Sequence, residues 1–228
     1  MKKSGLLVLS GSLPFNFFLP QQKKKLGVAL VGLGYYSRDL LAPALKLTEH
    51  CVLKGIVTGS PEKIPVWQKR YNIPEKNVYN YENMHTMSNN PDIDIVYIVL
   101  PNALHKEYTI VGANAGKHVW CEKPMAMNVQ ECREMINACQ KNKVQLTIGY
   151  RMQHEPVTQT IIGWRKTKPY GDINTVLAEA GFYNSAGDPS HWKVHKELGG
   201  GAMMDMGVYP LNAARYMTGL EPVAVSAR

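Results

Sequence analysis

From Leu26 onward, short apolar runs alternate with longer segments of mixed polarity, and turn residues separate them. The apolar runs carry few polar residues on either face, which is typical of strands buried in a parallel sheet. The run Asp94–Leu100 is the clearest, because it is rich in β-branched residues. We predict strands at Leu26–Gly32, Cys51–Val57, Val78–Asn80, Asp94–Leu100, His118–Cys121 and Val144–Gly149. We predict helices between them at Ser37–Leu47, Pro61–Tyr71, His105–Ala115 and Val129–Lys141. The alternation indicates an α/β fold, a Rossmann-type doubly wound parallel sheet covered by helices on both faces.

The alternation ends at Tyr150, so we predict a dinucleotide-binding domain at residues 26–150 and a second domain at residues 151–228. In the second domain we predict a helix at 156–166, a turn at 169–171, a strand at 173–182, a helix from 199 to 216 and a strand at 222–227. These elements indicate an incomplete α+β domain with a mostly antiparallel sheet. Two strands rarely form a stable sheet. We therefore expect the chain to be a fragment, and completion of the sheet by another subunit is the alternative.

The first 25 residues do not follow this pattern. Lys2 and Lys3 precede an apolar stretch at 5–19 that Pro14 and Asn16 interrupt. Charge followed by apolar residues is the order of an export signal, although no twin arginine or small-residue cleavage site is present. A disordered leader is the alternative, so an exported or periplasmic location and a cytoplasmic one both stay open. No apolar run reaches the ~18 residues of a membrane span.

The formal net charge of +8 raises the question of a nucleic-acid partner. Five lysines and no acidic residue lie in the first 25 positions, which leaves 21 basic against 18 acidic residues, a net charge of +3, for the rest. No basic stripe suited to a phosphate backbone remains, so we expect no nucleic-acid binding. The four cysteines show no metal-ligand spacing, and we expect neither a metal site nor a disulfide. Cys132 and Cys139 are predicted to face the core.

A glycine-rich loop follows the first predicted strand, with the sequence Gly32-Leu33-Gly34-Tyr35-Tyr36-Ser37. Gly32 allows a tight turn, and Gly34 lets the backbone approach a pyrophosphate at the next helix N-terminus. Ser37 replaces the third glycine of this motif and is a residue that can cap the helix. Because the loop lies between a strand and a helix, it predicts dinucleotide binding. A plain structural turn is the alternative.

The end of the second predicted strand bears on which dinucleotide is bound. An NAD site presents Asp or Glu there to accept a hydrogen bond from the ribose 2′-hydroxyl. This chain has no carboxylate at the strand end; Ser60 offers a hydroxyl and Lys63 a positive charge. These residues suit the 2′-phosphate of NADP, although Glu62 is close and Lys63 has a second interpretation as a surface lysine. We predict NADP, with NAD as the alternative.

Further motifs follow in a fixed order along the chain. Pro101-Asn102-Ala103-Leu104-His105 follows the fourth strand, and Glu122-Lys123-Pro124 follows the next, at the edge where ligands bind in such sheets. The later motifs are Gly149-Tyr150-Arg151, Glu155-Pro156, Trp192, Gly199-Gly200-Gly201, Asp205, Gly207-Val208-Tyr209, Asn212 and Arg215-Tyr216. Together they resemble the glucose–fructose oxidoreductase/inositol dehydrogenase family (Gfo/Idh/MocA), and most closely its glucose–fructose oxidoreductase branch. The resemblance covers residues 26–228.

The resemblance implies an NADP-dependent oxidoreductase that moves a hydride to or from a sugar, polyol or related carbohydrate. For the full-length protein it also implies a homo-oligomer, either a dimer or a tetramer. It implies that Tyr209 donates or accepts the proton, with Lys123 and Asp205 beside it. Hydride removal from a carbinol requires loss of the hydroxyl proton, and a tyrosine base works better next to an ammonium group. The implied cofactor contacts are Gly32, Leu33, Gly34, Tyr35, Tyr36, Ser60, Lys63, Leu100, Pro101, Asn102, His105, Glu122, Lys123, Arg151 and Trp192.

The residues alone leave other interpretations open. Lys123 also fits a solvated lysine at a strand end, Tyr209 a packed aromatic, Asp205 a helix cap and Trp192 a core residue. Asp205 and Tyr209 share one helix face if the helix begins before Asp205, whereas Pro210 suits the first turn of a helix that starts after Tyr209. His191 and His195 lie in a polar loop and receive no role.

Three functional hypotheses follow. The first is an active sugar or polyol oxidoreductase, which oxidises one sugar and reduces another in alternation if the cofactor stays bound. The second is a cofactor-binding but catalytically silent protein, because an incomplete second domain is expected to weaken substrate binding. The third is an NAD-assisted glycosidase, which uses the same fold and a transient oxidation.

Overall fold

The computed structural model describes residues 25–183 and 188–226, so the leader predicted at 1–25 lies outside the described residues except for Lys25. Six strands form one sheet in which every pairing is parallel. They are β1 (Leu26–Val31), β2 (Cys51–Val57), β3 (Val78–Tyr79), β4 (Ile95–Ile98), β5 (His118–Glu122) and β6 (Leu146–Gly149). The order across the sheet is β3-β2-β1-β4-β5-β6, which is the Rossmann order, and the direction of winding reverses between β1 and β4. The predicted parallel α/β sheet is confirmed.

The described helices are α1 (Ala42–Leu47), α2 (Ile64–Tyr71), α3 (His105–Asn114), α4 (Val129–Lys141), α5 (Pro156–Thr167), α6 (Ala202–Asp205) and α7 (Val208–Thr218). The first four lie between the strands along the chain and cover the sheet, α1 and α2 on one face and α3 and α4 on the other. Leu30 and the α1 and α2 side chains Leu45 and Trp67 form the core on one face. Val31 and the α4 side chains Met135 and Cys139 belong to the core on the other. Because successive residues of β1 point to opposite faces, one apolar strand contributes to both cores.

Proline sets the local form of two helix starts. The residues Ser37–Leu41 form a π-helical turn ahead of α1, and Pro43 then lies in the first turn of that helix. Pro61–Lys63 form a 3₁₀ turn ahead of α2, whose first turn contains Pro65. A proline has no N–H to donate, and the first helical turn is where that donor has no intrahelical partner. The two predicted helices therefore form, each with an irregular first turn.

The second domain differs from the prediction in its strands. No strand is present at 173–182, where Leu177 is 93% exposed, or over the described part, 222–226, of the predicted final strand. Position 227 lies outside the described residues. A strand is held by hydrogen bonds to a neighbour, and no neighbouring strand lies beside these segments among the described residues. The prediction of an antiparallel sheet was therefore wrong for the described part of the chain.

The helix predicted from 199 to 216 is divided into α6 and α7, which are separated by Met206 and Gly207. A Cβ on Gly207 would lie 2.5 Å from the carbonyl oxygen of Met203, so the chain turns tightly at this point. Pro210 lies in the first turn of α7, where its missing N–H costs little. Asp205 and Tyr209 thus lie on consecutive helices rather than on one. No helix within residues 25–183 and 188–226 is both long and apolar enough to cross a membrane.

Candidate active site

A cavity of about 1100 Å³ opens at the carboxyl edge of the sheet, next to the ends of β1 and β4. Every residue predicted for cofactor binding or catalysis lines it, except His105. Helix connections cross the sheet in opposite directions at this edge, which leaves a crevice between the two halves. Motifs that lie far apart along the chain therefore line one common cavity.

The glycine-rich loop forms one wall of this cavity. Gly32 has φ +94, and a Cβ there would lie 2.3 Å from the carbonyl oxygen of Val99, so only glycine fits. A Cβ on Gly34 would meet nothing within 4 Å, so its backbone is open to an approaching group. The hydroxyl of Ser37 donates to the carbonyl of Gly32 at 2.6 Å and closes the loop. The Ser37 hydroxyl is therefore used within the loop and does not cap the helix, which is the other role that its residue type allows.

Ser60 and Lys63 lie at the β2 end of the cavity. The backbone N–H of Ser60 donates to the Thr58 hydroxyl at 3.0 Å, which orders the turn after the strand. Nζ of Lys63 lies 3.5 Å from the carbonyl of Leu33, so its positive charge reaches the glycine-rich loop. Glu62 does not line the cavity. The cavity at this end thus presents a hydroxyl and a cation, which suit a phosphate group.

Lys123, Asp205 and Tyr209, here called the polar cluster, meet at the opposite end. Nζ of Lys123 donates to Oδ1 of Asp205 at 3.0 Å and to its backbone carbonyl at 2.5 Å. The same Nζ lies 5.1 Å from the centre of the Tyr209 ring. The two charged side chains are 17% and 14% exposed, so solvent screens this ion pair only in part. Residues 82 positions apart are held in one group.

Two lysines hold the Asp205 carboxylate. Oδ2 of Asp205 accepts a hydrogen bond of 2.8 Å from Nζ of Lys193, while Oδ1 is bound to Lys123. Burial acts to raise the pKa of Asp205, but hydrogen bonds from Lys193 and Lys123 outweigh it and keep the pKa below its usual range. Asp205 is therefore an anion at neutral pH and a fixed link between the two ammonium groups.

Glu122 lies in the cavity wall next to the polar cluster. Its carboxylate accepts hydrogen bonds from the Tyr97 hydroxyl at 2.5 Å and from the Lys123 backbone N–H at 3.3 Å. Burial nevertheless raises the pKa of Glu122. Burial also raises the pKa of Tyr36, and Glu122 adds to that effect. This part of the wall therefore favours protonated groups, whereas Asp205 a short distance away stays ionised.

Asn102 and His105 connect loops and contribute little to the open surface. The Asn102 amide donates to the carbonyl of Gly199 at 2.8 Å, and this bond joins segments 97 residues apart. The ring nitrogens of His105 lie 2.8 Å and 3.0 Å from the carbonyl oxygens of Pro124 and Leu100. His105 is completely buried, and burial lowers its pKa although the carbonyls act in the opposite direction. His105, predicted to border the cofactor, does not line the cavity: its ring lies behind the wall, against the Pro124 and Leu100 carbonyl groups.

Several lining residues were not predicted from the sequence. They are Leu40, Leu41, Ala44, Thr58, Tyr81, Val99, Gly149, Phe182, His191, Lys193 and Met206. Thr58 and Gly149 come at or directly after the carboxyl ends of predicted strands, so the rule that placed Lys123 also applies to them. Lys193 and Phe182 carry no such signal, because a loop and an extended segment bring them to the cavity. Among the described residues, no group of three or more His, Cys, Asp or Glu side chains is arranged to hold a metal ion.

Two protein-family profiles match the chain. Residues 26–150 match the profile described as an oxidoreductase family with an NAD-binding Rossmann fold (GFO/IDH/MocA). Residues 159–228 match the GFO/IDH/MocA C-terminal domain. The two matches follow one another along the chain and together include the glycine-rich loop and the polar cluster.

The chain is also similar to individual oxidoreductases that act on sugars or polyols. The chain is 31% identical over 206 residues to D-xylose 1-dehydrogenase [NADP(+)] of Haloarcula marismortui, covering 86% of this chain and 55% of that protein. It is 29% identical to an NADP(+) scyllo-inositol 2-dehydrogenase of Bacillus subtilis, covering 84% of this chain and 58% of that protein. The crystal structure of aldose-aldose oxidoreductase from Caulobacter crescentus with glycerol matches with 45% identity and a TM-score of 0.84, covering 88% of this chain and 59% of that one. The chain thus spans a little over half the length of these relatives.

Proposed function

Since the chain belongs to the GFO/IDH/MocA oxidoreductase family, we propose that it binds NADP in this cavity and transfers a hydride to or from a hydroxyl-bearing carbon of an aldose or a related polyol. The observation that carries the proposal is the common cavity of the glycine-rich loop and the polar cluster. The glycine-rich loop suits a dinucleotide, and the polar cluster suits the proton transfer that accompanies hydride transfer.

The residues around the cavity fit NADP. The position of Gly32 against Val99 and the open face of Gly34 leave room for a pyrophosphate along the backbone. Ser60 and Lys63 would hold the 2′-phosphate, and no carboxylate at that end competes for it. Arg151 and Trp192 would contact the part of the cofactor nearer the polar cluster. The nicotinamide ring, when bound, supplies the hydride acceptor or donor.

The polar cluster would handle the proton. In the oxidation direction the C–H electron pair leaves the carbinol carbon as hydride, and the hydroxyl proton passes to the oxygen of a Tyr209 phenolate, which leaves a carbonyl. Lys123 would stabilise the phenolate by its charge and donate a hydrogen bond to the substrate oxygen. Asp205 would hold Lys123 in place through the 3.0 Å contact. In the reduction direction Tyr209 would return the proton.

The names of two relatives support aldoses as the substrate class, because one relative is a D-xylose dehydrogenase and the other an aldose-aldose oxidoreductase. The second name also supports a cycle in which the oxidation of one aldose is balanced by the reduction of another. Such a cycle needs no free coenzyme if the dinucleotide stays bound between the two half-reactions.

The test combines cofactor identification with turnover. The purified chain is expected to carry or to bind NADP(H), identified by mass and by fluorescence. It is expected to oxidise D-xylose or D-glucose more readily than a matched glycoside. Binding without turnover would favour a silent cofactor-binding protein, glycoside cleavage would favour the glycosidase, and bound NAD(H) alone would contradict the roles of Ser60 and Lys63.

Two tyrosines provide a matched pair for the catalytic role. The rings of Tyr209 and Tyr216 both pack on Tyr150, with centroids 5.6 Å and 6.1 Å away, but of these two only Tyr209 lines the cavity. Tyr209→Phe is expected to lower kcat by about 10²- to 10⁴-fold, the range for loss of a general acid–base group, and to leave NADP binding unchanged. Tyr216→Phe is expected to retain kcat. Equal activity in the two variants would remove Tyr209 from the mechanism.

A further inference from the structure

Lys193 occupies a place in the cavity that the proposed chemistry does not yet use. Its Nζ donates to Oδ2 of Asp205 at 2.8 Å and lies 5.9 Å from the centres of both the Phe182 and the Trp192 rings. The side chain is 34% exposed, compared with 17% for Lys123, which holds the other oxygen of the same carboxylate. Lys193 is therefore partly buried, lies near two aromatic rings and is joined to the polar cluster through Asp205.

The backbone around Lys193 is fixed by local contacts. Its N–H donates to Nδ1 of His191 at 3.2 Å, and its carbonyl accepts from the N–H of Gly201 at 2.9 Å. A Cβ on Gly200 would lie 2.4 Å from that carbonyl oxygen. The turn Gly199-Gly200-Gly201, here called the glycine-rich turn, therefore packs directly on Lys193. The same turn leads into α6, which ends at Asp205. The turn thus places Lys193 and Asp205 relative to each other independently of Lys123.

Lys193 changes the net charge of the group of side chains next to Tyr209. Two ammonium groups share one carboxylate, so the group carries a net positive charge instead of a neutral ion pair. Glu122, the other carboxyl group of this wall, is engaged by the Tyr97 hydroxyl. A fixed positive charge in a partly buried site stabilises a nearby anion more strongly than it would in water. The anions in question are the Tyr209 phenolate and the developing alkoxide of the substrate.

We propose that Lys193 is a positioning residue of the polar cluster: it holds Oδ2 of Asp205, so that Oδ1 stays on Lys123 and one ammonium charge remains unbalanced beside Tyr209. The proposal rests on the function proposed above for Lys123 and Tyr209. It differs from a role as a substrate ligand, which would use the free N–H groups of Lys193 and affect mainly the binding of the sugar.

The test uses three variants of the whole chain. Lys193→Met removes the charge and keeps the length of the side chain, and Lys193→Arg keeps the charge. Lys196→Met is the matched control, because Lys196 lies in the same loop, is exposed and does not line the cavity. Two measurements are made on each: titration of the Asp205 carboxyl group by ¹³C NMR, and steady-state kinetics with D-xylose or D-glucose and NADP.

Lys193→Met is expected to raise the pKa of Asp205, since Lys193 is one of the two hydrogen-bond donors that keep it low. It is expected to lower kcat by about 10- to 100-fold, with the KM for the sugar and the affinity for NADP nearly unchanged. Lys193→Arg is expected to restore most of kcat, and Lys196→Met is expected to match the wild type in both measurements.

Other results would overturn the proposal. A raised KM with an unchanged kcat in Lys193→Met would make Lys193 a substrate ligand, and an unchanged kcat and KM would leave it without a part in the reaction. An unchanged Asp205 pKa would show that Lys193 does not hold this carboxylate. If the wild type shows no turnover, the proposed function fails, and the Asp205 titration still decides whether Lys193 positions Asp205.

Discussion

The hydroxyl of Tyr97 donates a 2.5 Å hydrogen bond to Oε1 of Glu122, and this contact joins β4 to β5 at the wall of the cavity. Gly149 on β6 completes the arrangement, because a Cβ there would lie 2.8 Å from the Tyr97 hydroxyl and 2.9 Å from Oε1. Three neighbouring strands thus fix the orientation of Glu122. Burial raises the pKa of this carboxyl group, while the Tyr97 hydrogen bond acts to lower it.

Tyr97→Phe is expected to destabilise the protein by about 1–3 kcal/mol, the range for a buried polar group that loses its hydrogen-bond partner. The pKa of Glu122 should rise further. A raised carboxyl pKa means that the folded state binds more protons than the unfolded chain, so this group's contribution to stability falls as pH rises through the raised value. Urea unfolding at several pH values and ¹³C titration of Glu122 measure the two effects.

Tyr71→Phe is the control for this experiment. The Tyr71 hydroxyl is buried and has no hydrogen-bond partner among the described residues. Removal of an unpaired buried hydroxyl should change the free energy of unfolding by no more than about 0.5 kcal/mol or stabilise the protein slightly. Equal losses in the two variants would show that the Tyr97–Glu122 bond contributes nothing.

Gly199 connects the glycine-rich turn to the Rossmann sheet. It has φ +80, its carbonyl accepts from Asn102, and a Cβ would lie 2.5 Å from Cβ of Asn102 and 2.6 Å from Sδ of Met127. Gly199→Ala is expected to cost about 1–2 kcal/mol from backbone strain and about 1–3 kcal/mol from overpacking. Gly116→Ala should cost the strain alone, because Gly116 has φ +71 and nothing lies within 4 Å of its Cβ position. Equal free energies of unfolding would contradict the close packing on Asn102.

The sequence predicts the Rossmann half well, because its signals are local. The apolar run Cys51–Val57 and the helix Val129–Lys141 have the predicted bounds, since turn residues and caps mark both ends. The glycine-rich loop is identified by the elements on either side of it. A parallel sheet then places its carboxyl ends along one edge, so Lys123 and Gly32 are expected to share a site before any distance is known.

The remaining features depend on long-range contacts that the pattern does not encode. The apolar segment at 173–182 has the composition of a strand, but a strand needs a neighbour, and none lies beside it among the described residues. Lys193 resembles any polar loop residue until the turn at Gly200 brings it to Asp205. His105 ends the motif Pro101–His105, whose first two residues line the cavity, yet its ring points into the protein toward two carbonyl groups.

Lys63 tests the choice between NADP and NAD. Lys63→Ala should weaken NADP binding about tenfold or more, since a charge-assisted contact to the 2′-phosphate is lost, and should leave NAD binding unchanged. Lys69→Ala, on α2 and outside the cavity, is the control with the same loss of charge. Fluorescence titration with both dinucleotides measures the affinities. A parallel loss for NADP and NAD in Lys63→Ala would mean that Lys63 acts on the glycine-rich loop through its contact with Leu33.

His105 gives a prediction for the dependence of stability on pH. Both ring nitrogens face carbonyl oxygens, but a neutral imidazole donates from only one of them. Burial lowers the pKa of His105 below its ordinary value. Between the lowered value and the value of about 6.5 in an unfolded chain, the unfolded state binds more protons. The free energy of unfolding should therefore fall as pH drops from about 7.5 to about 5.5.

His105→Gln should flatten this slope, because glutamine keeps a donor and an acceptor and does not titrate. It should also lower stability at neutral pH by about 1–2 kcal/mol, since the flexible amide does not reproduce both the hydrogen bond and the packing of the ring. His50→Gln, at an exposed position, should leave the slope as it is in the wild type. Urea unfolding across this pH range measures the slopes. An unchanged slope in His105→Gln would assign the acid sensitivity to other groups, and His105 would then remain a neutral support for the Pro124 and Leu100 loops alone.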